Sequence, residues 1–573
     1  MLDLRIVNGV VIDGTGAAGR PADLGVKDGR IVALGALDEQ SARTIDAEGR
    51  VVAPGFVDVH THLDAQLFWD PTASPSPLHG VTTAFAGNCG FTIAPIGPDS
   101  AEYLMAMLSR VEGMPLASLR TGVPWDWSTT GEYLDRLDGR MALNAGFMVG
   151  HSAIRRLVMG PAANERTATP AEISAMTELL RAGLAAGGMG FSTTTSDTHN
   201  DADGRPVPSR FAGRDEFLAL ARVCGEYPGT SLELLPRGTD VGPFADEVAE
   251  LMIEMSVVAG RPLNWNVIQP SAAGLGSCLA KLAVGDAAAA RGAKVVGLTM
   301  PIDMKARFSF LAGFVLDGFD GWAQVMALPA AEKLACFRDP DQRRDLFDGA
   351  ARTANLRHLA KWSDHVIVET FTDRTAPFKG RLVGEIASEQ GKEPFDALVD
   401  IAVTDDLRTT FARNTRPPSA ADWDARLQIC RDHRALVGAS DAGAHLDMIA
   451  AFRYSTGLLQ EAVRERNLLP IEEAIHFLTG APARLYGLQG RGELRVGGRA
   501  DILVLDPDTV GSAPVETRFD LPGGAGRLYA DAVGIGHVFV NGVEVAADGA
   551  YTGELPGRVL RAGTDTHTPT MAL

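Results

Sequence analysis

The sequence predicts an α/β protein built on a TIM-like (β/α)8 barrel, with a small composite β domain formed by the two ends of the chain. Short apolar runs alternate with helix-like segments from residue 56 to about residue 480, and repeated βα units favour a parallel sheet that can close after eight units. Segments 1–55 and 481–573 read instead as short strands separated by turns. We therefore predict a barrel at 56–480, flanked by the two parts of the β domain.

Composition excludes several classes of protein. The chain has 573 residues, of which 22% are charged and 46% apolar, as in folded globular proteins. Its net charge of −19 would repel nucleic acid and anionic membranes, and no run approaches the roughly 20 apolar residues of a membrane span. We therefore expect a small-molecule substrate, with no nucleic-acid or membrane partner. The oligomeric state does not follow from the sequence.

The cysteines and the N-terminus predict the compartment. The five cysteines are scattered and form no CxxC pair, which argues against a disulfide framework. The opening MLDLRIVNGVVIDG alternates like a strand and lacks the features of a signal peptide. Both observations favour a cytoplasmic protein.

The two ends of the chain carry similar strand patterns. LRIVNGVVID near the start and HVFVNGVEVAADG near the end both read as strand, Asn-Gly turn and strand. Asp28-Gly29 is a further hairpin signal. We predict that the two segments pair in one β domain beside the barrel.

The barrel region is longer than a bare barrel of about 250 residues. We predict insertions at about 91–140, which is rich in Trp, Met and Pro, and at about 305–435, which contains several helical stretches. Long connections after barrel strands often act as lids or binding loops.

The segment GFVDVHTHLDAQ carries the strongest chemical signal. His60 and His62 stand two apart at the end of an apolar strand, so both imidazoles leave the same strand face. At the carboxyl end of a barrel strand, such a pair is suited to binding a metal. The alternative is a buried, hydrogen-bonded pair of structural histidines.

Several motifs together resemble a known family. The stretch APGFVDVHTHLD, the β layer before it and GRADILVLDP after the barrel resemble the amidohydrolase superfamily over nearly the whole chain. HGVTTAFAGNCGF, MVGHSAIR and VGASDAGAHLD resemble its N-acyl-D-amino-acid deacylase (D-aminoacylase) branch, which is zinc-dependent.

The resemblance implies a metal site. His60 and His62 would be ligands from the first strand, Asp441 the carboxylate after the last strand, and Cys89 a thiolate ligand. Asp441 would act as general base and then as general acid. Its alternative role is to cap a helix, and that of Cys89 is to fill the core as a small apolar residue.

One departure from the family affects the metal count. The resemblance implies a histidine after the fifth strand and another after the sixth, where this chain has SLELLPRG and PLNWNVIQP. These segments offer no imidazole, only Glu233, Arg237, Asn264 and Asn266. We predict one Zn²⁺, or another divalent metal, per chain. His199 or His445 could complete the site or shuttle protons; alternatively, metal binding has been lost.

Further polar residues are candidates for the rest of the pocket. Arg210, in the loop after the fourth strand, and Arg453, twelve residues after Asp441, could hold a substrate carboxylate. His151 follows an apparent third strand. We predict that it contacts a neighbouring metal ligand and holds that ligand in position.

Together with these residues, the resemblance implies a metal-dependent amidohydrolase that cleaves a C–N amide bond of an N-acyl-amino-acid-like or cyclic amide substrate. Two alternatives remain open. The chain could hydrolyse an ester, lactone or other non-amide carbonyl compound, or it could be a metal-free, non-catalytic binding protein on the same scaffold.

Overall fold

The composite β domain is built around one mixed sheet. The computed structural model of the protein describes residues 1–238, 241–311, 315–354 and 356–571. The N-terminal part contributes β1 (Leu2–Val11), β2 (Arg20–Lys27), β3 (Arg30–Gly35), β4 (Ser41–Asp46) and β5 (Val51–Pro54).

One predicted turn in this part is wrong. Residues Asn8 and Gly9 do not end a strand but lie within β1, whose pairing with β2 shifts register between Ile6 and Gly9. Asn8 has a positive φ of 57°, which asparagine tolerates better than most residues. The Asn-Gly pair therefore forms a bulge here, which inserts a residue into a continuous strand. The Asp28-Gly29 hairpin prediction is confirmed, because β2 and β3 pair antiparallel across it.

The central region alternates strands with helices. Its strands are β6 (Phe56–Asp58), β7 (Val81–Ala86), β8 (Asn144–Phe147), β9 (Val149–Gly150), β10 (Gly190–Thr194), β11 (Ser231–Leu235), β12 (Leu263–Ile268), β13 (Val295–Thr299), β14 (His365–Glu369), β15 (Thr410–Arg413) and β16 (Ala435–Val437). Its helices are α1 (Gln66–Trp69), α2 (Ala101–Val111), α3 (Leu116–Gly122), α4 (Thr130–Leu137), α5 (His151–Met159), α6 (Pro170–Ala185), α7 (Arg214–Gly225), α8 (Asp246–Ala259), α9 (Leu275–Ala289), α10 (Trp322–Met326), α11 (Ala330–Arg338), α12 (Pro340–Arg352), α13 (Val383–Gln390), α14 (Pro394–Thr404), α15 (Ala420–Cys430), α16 (Tyr454–Leu458), α17 (Ile471–Leu478) and α18 (Gly480–Leu485).

Parallel strands close into the predicted barrel. β6, β7 and β8 form one parallel run, and β9 to β13 with β16 form another. Only Met148 separates β8 from β9, so the two are halves of one barrel strand. A parallel bridge between Thr61 and Ala442 joins the residues that follow β6 to those that follow β16. The segments after these strands therefore share the carboxyl mouth, where barrel active sites lie.

Both predicted insertions contain additional helices, but the second one is shorter than predicted. Helices α2 to α4 lie within the predicted insertion 91–140, and α10 to α14 with the antiparallel pair β14 and β15 lie within 305–435. The second insertion ends earlier than predicted. Helix α15 contacts α9 and leads directly into β16, so it is the helix before the last barrel strand. Its helical pattern looks the same in sequence as those of the insertion.

The C-terminal segment returns to β structure. Its strands are β17 (Ile502–Leu505), β18 (Gly511–Ser512), β19 (Glu516–Arg518), β20 (Arg527–Tyr529), β21 (Ala532–Val533), β22 (Ile535–Val540), β23 (Val543–Ala547), β24 (Ala550–Tyr551) and β25 (Val559–Leu560).

The two chain ends share one sheet, but the predicted direct pairing is wrong. The strand order is β24-β23-β22-β17-β5-β1-β2-β3, with β4 also paired to β1. Strands β17 and β5 therefore separate the two Asn-Gly segments. Residues Asn541 and Gly542 do connect β22 to β23, as the hairpin signal predicts.

Part of the C-terminal segment lies outside the β domain. Strand β25 pairs in parallel with β8 of the barrel, through Val559 opposite Ala145 and Leu560 opposite Gly146. Leu528, in β20, donates its N–H to the carbonyl of Leu446 near the barrel mouth. The predicted division at residue 481 therefore assigns β25 and β20 to the β domain, although both contact the barrel. Local strand patterns do not specify such distant partners. Within the described residues, no helix combines the length and the apolar character that crossing a membrane requires.

Candidate functional site

His60 and His62 lie at the barrel mouth, just after β6. Both side chains are buried, and their rings meet edge to face with centroids 5.4 Å apart. The backbone here is held from both sides. Thr61 donates its N–H to Phe85 of β7, and His62 donates to Ala442 beyond β16. The closing seam of the barrel thus fixes the position of the histidine pair.

Asp441 lies on the other side of this seam. Its Oδ1 is 3.2 Å from His60 Nε2 and 3.8 Å from His62 Nε2. The close approach depends on Gly443, which has a φ of 93°. A Cβ at this position would lie 2.4 Å from the carbonyl oxygen of His62, so only glycine allows the two segments to pack.

Cys89 completes the cluster from a turn after β7. Its Sγ is 3.6 Å from His60 Nε2, and its backbone N–H donates to Glu233 Oε2 at 2.8 Å. The ligand atoms of Cys89, His60 and His62 all lie within 4.8 Å of one another. Ser192 of β10 anchors the turn, because its hydroxyl accepts the N–H of Gly90.

The residues at the two missing histidine positions also face this cluster. Asn266 Nδ2 lies 3.4 Å from His60 Nε2 and 3.7 Å from Cys89 Sγ. Glu233 is fully buried, and burial raises its pKa to about 7 despite the opposing effects of His60 and the Cys89 N–H. Asn264 instead donates to Tyr486 Oη and the carbonyl of Leu232. An amide and a carboxyl thus face the cluster from β12 and β11, after which the resemblance implies imidazoles.

Charge is strongly coupled within the cluster. Burial alone would lower the pKa of His60, but the hydrogen bond and charge of Asp441 raise it above its ordinary value. Burial tends to raise the pKa of Asp441, but the same hydrogen bond and the nearby histidines hold it well below normal. Burial and His60 lower the pKa of His62 to about 3. Asp441 is therefore ionised and His62 neutral at pH 7.

The thiol of Cys89 is neutral without a cation. Burial and the nearby carboxylates of Glu233, Glu112 and Asp441 raise its pKa well above the ordinary value. A bound divalent cation reverses this preference, because it stabilises a coordinating thiolate directly.

Glu112 is a site residue that the motifs do not reveal. It follows α2 in the first insertion and is only 2% exposed. Its Oε1 is 3.7 Å from His62 Nδ1, and its Oε2 is 3.9 Å from His445 Nε2. In sequence it reads as an ordinary residue at a helix end before Gly113, so no local signal marks it.

His445 and His199 lie beside the cluster. The backbone N–H of His445 donates to the carbonyl of Glu112. The ring of His199 packs against Phe91, with centroids 5.0 Å apart. Burial and the charge of His445 lower the pKa of His199 to about 3, so His199 is a neutral imidazole at neutral pH.

The remaining predicted residues have partners away from the metal-ligand candidates. His151 Nδ1 is 2.8 Å from Thr193 Oγ1, and its Nε2 is 2.9 Å from Glu216 Oε1. It therefore sits in a buried network between β10 and α7.

The two predicted carboxylate clamps face acidic or polar groups of the chain. Arg210 donates to Asp197 Oδ1 and Asn200 Oδ1 in its own loop. Arg453 Nη1 lies 3.8 Å from Glu461 Oε1. Each guanidinium thus has an internal acceptor or anion.

Comparison with known proteins identifies the family of the chain. A family model described as "Amidohydrolase family" matches residues 43–545. Two proteins of Alcaligenes xylosoxydans xylosoxydans are similar to the chain: N-acyl-D-aspartate deacylase, 30% identical with 98% of this chain and 95% of the relative covered, and D-aminoacylase, 28% identical with 97% of each covered.

A solved structure is similar to the chain in overall fold. N-acyl-D-glutamate deacylase from Bordetella bronchiseptica, complexed with zinc and a phosphonate inhibitor, has a TM-score of 0.64 and 27% identity, covering 98% of this chain and all of the other. The family predicted from the motifs is therefore confirmed. The chain belongs to the amidohydrolase family, in its D-aminoacylase branch, and is a hydrolase of carbon–nitrogen bonds other than peptide bonds.

Proposed function

We propose that the protein hydrolyses the amide bond of an N-acyl amino acid, with one divalent metal bound by His60, His62 and Cys89 and contacted by Asp441. The convergence of these donors carries the proposal. Around a tetrahedral zinc with bonds of about 2.0 to 2.3 Å, ligand atoms lie about 3.3 to 3.8 Å apart. The separations of His60 Nε2 from Asp441 Oδ1 and Cys89 Sγ are 3.2 and 3.6 Å. The donor set therefore fits zinc.

A single metal is favoured by the residues next to the site. Glu233 uses one carboxylate oxygen for the N–H of Cys89, and Asn266 presents its amide nitrogen toward His60 and Cys89. An amide N–H₂ is a donor and cannot ligate a cation. With Asn266 in this orientation, only Glu233 of the two offers a further donor for a metal, through its second oxygen, which is buried and has no hydrogen-bond partner among the described residues. The zinc-bound relative supports zinc as the metal.

Asp441 would carry the proton during catalysis. A bound divalent metal would polarise the scissile carbonyl and activate water. Asp441 is ionised because the adjacent histidines lower its pKa. Its carboxylate can accept a proton from the attacking water and return that proton to the nitrogen of the leaving amine. The products are then a carboxylic acid and a free amino acid.

Metal analysis combined with activity tests the proposal. We expect about one zinc per chain in the wild type, much less in His60→Ala and Cys89→Ala, and hydrolysis of N-acyl amino acids of at least one hand. Asp441→Asn should retain most of its fold but lose turnover by at least about a thousandfold, because the proton acceptor is gone. Full activity in Asp441→Asn would contradict its role, and a metal-free wild type would favour a non-catalytic binding protein.

A further inference from the structure

Two large cavities lie on either side of the turn that follows Asp441. The first, which we call the neutral cavity, has a volume of about 730 Å³. The second, the cationic cavity, has about 870 Å³. Both volumes are in the range of small-molecule sites. Asp447 lines the first and Met448 the second, so this turn separates them.

The neutral cavity suits an apolar group. Its charged lining residues balance, because three bases (Arg110, Lys333 and Arg408) face three acids (Asp203, Asp317 and Asp447). The first two bases are engaged: Arg110 pairs with Asp317, and Lys333 donates to the carbonyl of Leu311. Its apolar wall comprises Met114, Leu116, Leu311, Met326 and Phe519.

The cationic cavity carries excess positive charge in a protein whose net charge is −19. Its lining has four Lys and Arg residues but only two acids. Arg426 pairs with Asp303, and Arg416 pairs with Asp422. Lys305 and Arg413 remain, with no acidic partner within 4 Å in the described part of the chain. Both side chains are exposed and line the same concave surface, so their charges attract an anion to it.

The proposed metal ligands do not line either cavity, but His445 connects both cavities to the cluster. Gly113 lines the neutral cavity, and a Cβ on it would lie 3.3 Å from His445 Cα. Met448 lines the cationic cavity and donates its N–H to the carbonyl of His445. The ring of His445 lies 3.9 Å from Glu112, which faces His62. A substrate amide at the turn between the two cavities would extend one arm toward each cavity.

We propose that the substrate is an N-acyl amino acid with a bulky apolar acyl group, whose acyl arm occupies the neutral cavity and whose carboxylate binds Lys305 and Arg413 in the cationic cavity. This inference rests on the proposed function and refines it to a substrate class. A cavity of about 730 Å³ far exceeds the size of an acetyl group. The charge difference between the cavities directs the carboxylate to the cationic cavity and the acyl group to the neutral cavity.

The carboxylate subsite is tested with N-octanoyl-leucine, of the hand that the wild type prefers, and its primary amide. We expect Lys305→Met and Arg413→Met each to lower kcat/KM for the acid about tenfold, through a higher KM, and to leave the amide within about twofold, because only the acid has the charge that these residues bind. Lys379→Met, at an exposed lysine outside both cavities, is the matched control. Equal losses for acid and amide, or a preference abolished only by Arg453→Met, would overturn the assignment.

The acyl subsite is tested by filling the neutral cavity. Ala327 lines it, whereas Ala331, four residues later and exposed, lines neither cavity. Ala327→Phe should lower kcat/KM for N-octanoyl-leucine about tenfold relative to N-acetyl-leucine, and Ala331→Phe should not. Equal effects of Ala327→Phe on both substrates would refute the subsite.

Hydrolysis assays and calorimetry together distinguish a failure of this inference from a failure of the proposed function. If the wild type hydrolyses N-acetyl-leucine and N-octanoyl-leucine equally well, the proposed function stands and the bulky-acyl class is wrong. If it hydrolyses neither, the proposed function fails. The dissociation constants of the same compounds, measured by calorimetry, then decide whether the two subsites exist. Tighter binding of the octanoyl acid, lost in Ala327→Phe and Lys305→Met, would still support the two subsites. Equal or undetectable binding would reject them.

Discussion

Single residues at this site act through the charge and orientation of their neighbours. His62 lies between two carboxyl groups, with Asp441 on its Nε2 side and Glu112 on its Nδ1 side. A ligating histidine commonly donates its other ring N–H to a carboxylate or carbonyl, which fixes its orientation. Glu112 is positioned for that role, although it belongs to an insertion rather than to a barrel strand.

We predict that Glu112→Leu weakens zinc binding by about 10- to 100-fold, the usual cost of losing such a partner. Glu112→Gln should lose less, because its amide oxygen keeps an acceptor near His62 Nδ1, which lies 3.7 Å from Glu112 Oε1. The measurement is a competition titration with a zinc chelator. Glu102→Gln, on the exposed side of α2 where Glu102 pairs with Arg120, should match the wild type. Unchanged affinity in Glu112→Leu would remove Glu112 from the site.

We also predict an acid-sensitive contribution to stability from His79. Its ring is buried between Thr456 Oγ1 and the carbonyl of Ala530, and burial lowers its pKa to about 4. Free histidine has a pKa of about 6.5. As the pH falls from about 6.5 to 4, the unfolded chain binds a proton that the folded protein does not, so stability is lost over this window.

Between these two pKa values, the protonation of His79 in the unfolded chain lowers the free energy of unfolding by about 3 kcal/mol. Denaturant unfolding at pH 7, 5.5 and 4 measures it as the difference between wild type and His79→Gln, which cancels the other titrating groups. The variant should start less stable and lose less on acidification. Parallel losses in the two proteins would contradict the assignment.

The site is assembled at the scale of elements where the last barrel strand meets the first. Strands β6 and β16 are short, and the segments after them cross through the Thr61–Ala442 bridge. Sequence patterns indicate His60, His62 and Asp441 because each follows a recognisable strand. Glu112 is not recognisable in this way, because its role arises from a contact with His62, 50 positions away. The strand pattern does indicate Glu233, but its contact with Cys89, 144 positions away, does not follow from that pattern. The bulge at Asn8-Gly9 does not follow from the sequence for a related reason: the dipeptide favours either a turn or a bulge, and the pairing with the neighbouring strand decides between them.

We predict that Gly443→Ala disrupts this junction. The added Cβ would lie 2.4 Å from the carbonyl oxygen of His62, so the backbone near the metal ligands must move. Gly497→Ala is the matched control, because Gly497 also has a positive φ, of 86°, but has nothing within 4 Å of the added Cβ.

The control should lose about 1 to 2 kcal/mol through backbone strain alone. Gly443→Ala should lose more, and should also bind zinc more weakly. Thermal unfolding and zinc content distinguish these outcomes. Equal stability losses with intact zinc binding would show that the junction tolerates the displacement.

The whole molecule joins its two ends through the barrel as well as through the composite sheet. The general architecture follows from the βα alternation and the terminal strand patterns, and the described structure agrees with it. The position of β25 against β8 does not follow from the sequence, because a strand of two residues is too short to show a pattern that indicates its partner.

We predict that truncation after Gly557, which removes β25, strongly destabilises the protein. The deletion leaves the edge of β8 unpaired at Ala145 and Gly146 and uncovers the buried residues that Val559 and Leu560 now contact. Exposed strand edges also promote association between chains. Truncation after Pro569 keeps β25 and the bond from Gly229 to Thr568, and should behave like the wild type in thermal unfolding and size-exclusion chromatography. Similar melting of both truncations would show that β25 is dispensable.

The place of β25 also has a consequence for biosynthesis. The barrel strand formed by β8 and β9 is translated early, near residue 150, whereas the partner of its first half comes at residues 559–560. During translation this barrel edge therefore stays uncovered until residues 559–560 have left the ribosome. A nascent chain that is stalled or cleaved before that point would expose an open strand edge, and such edges promote association between chains.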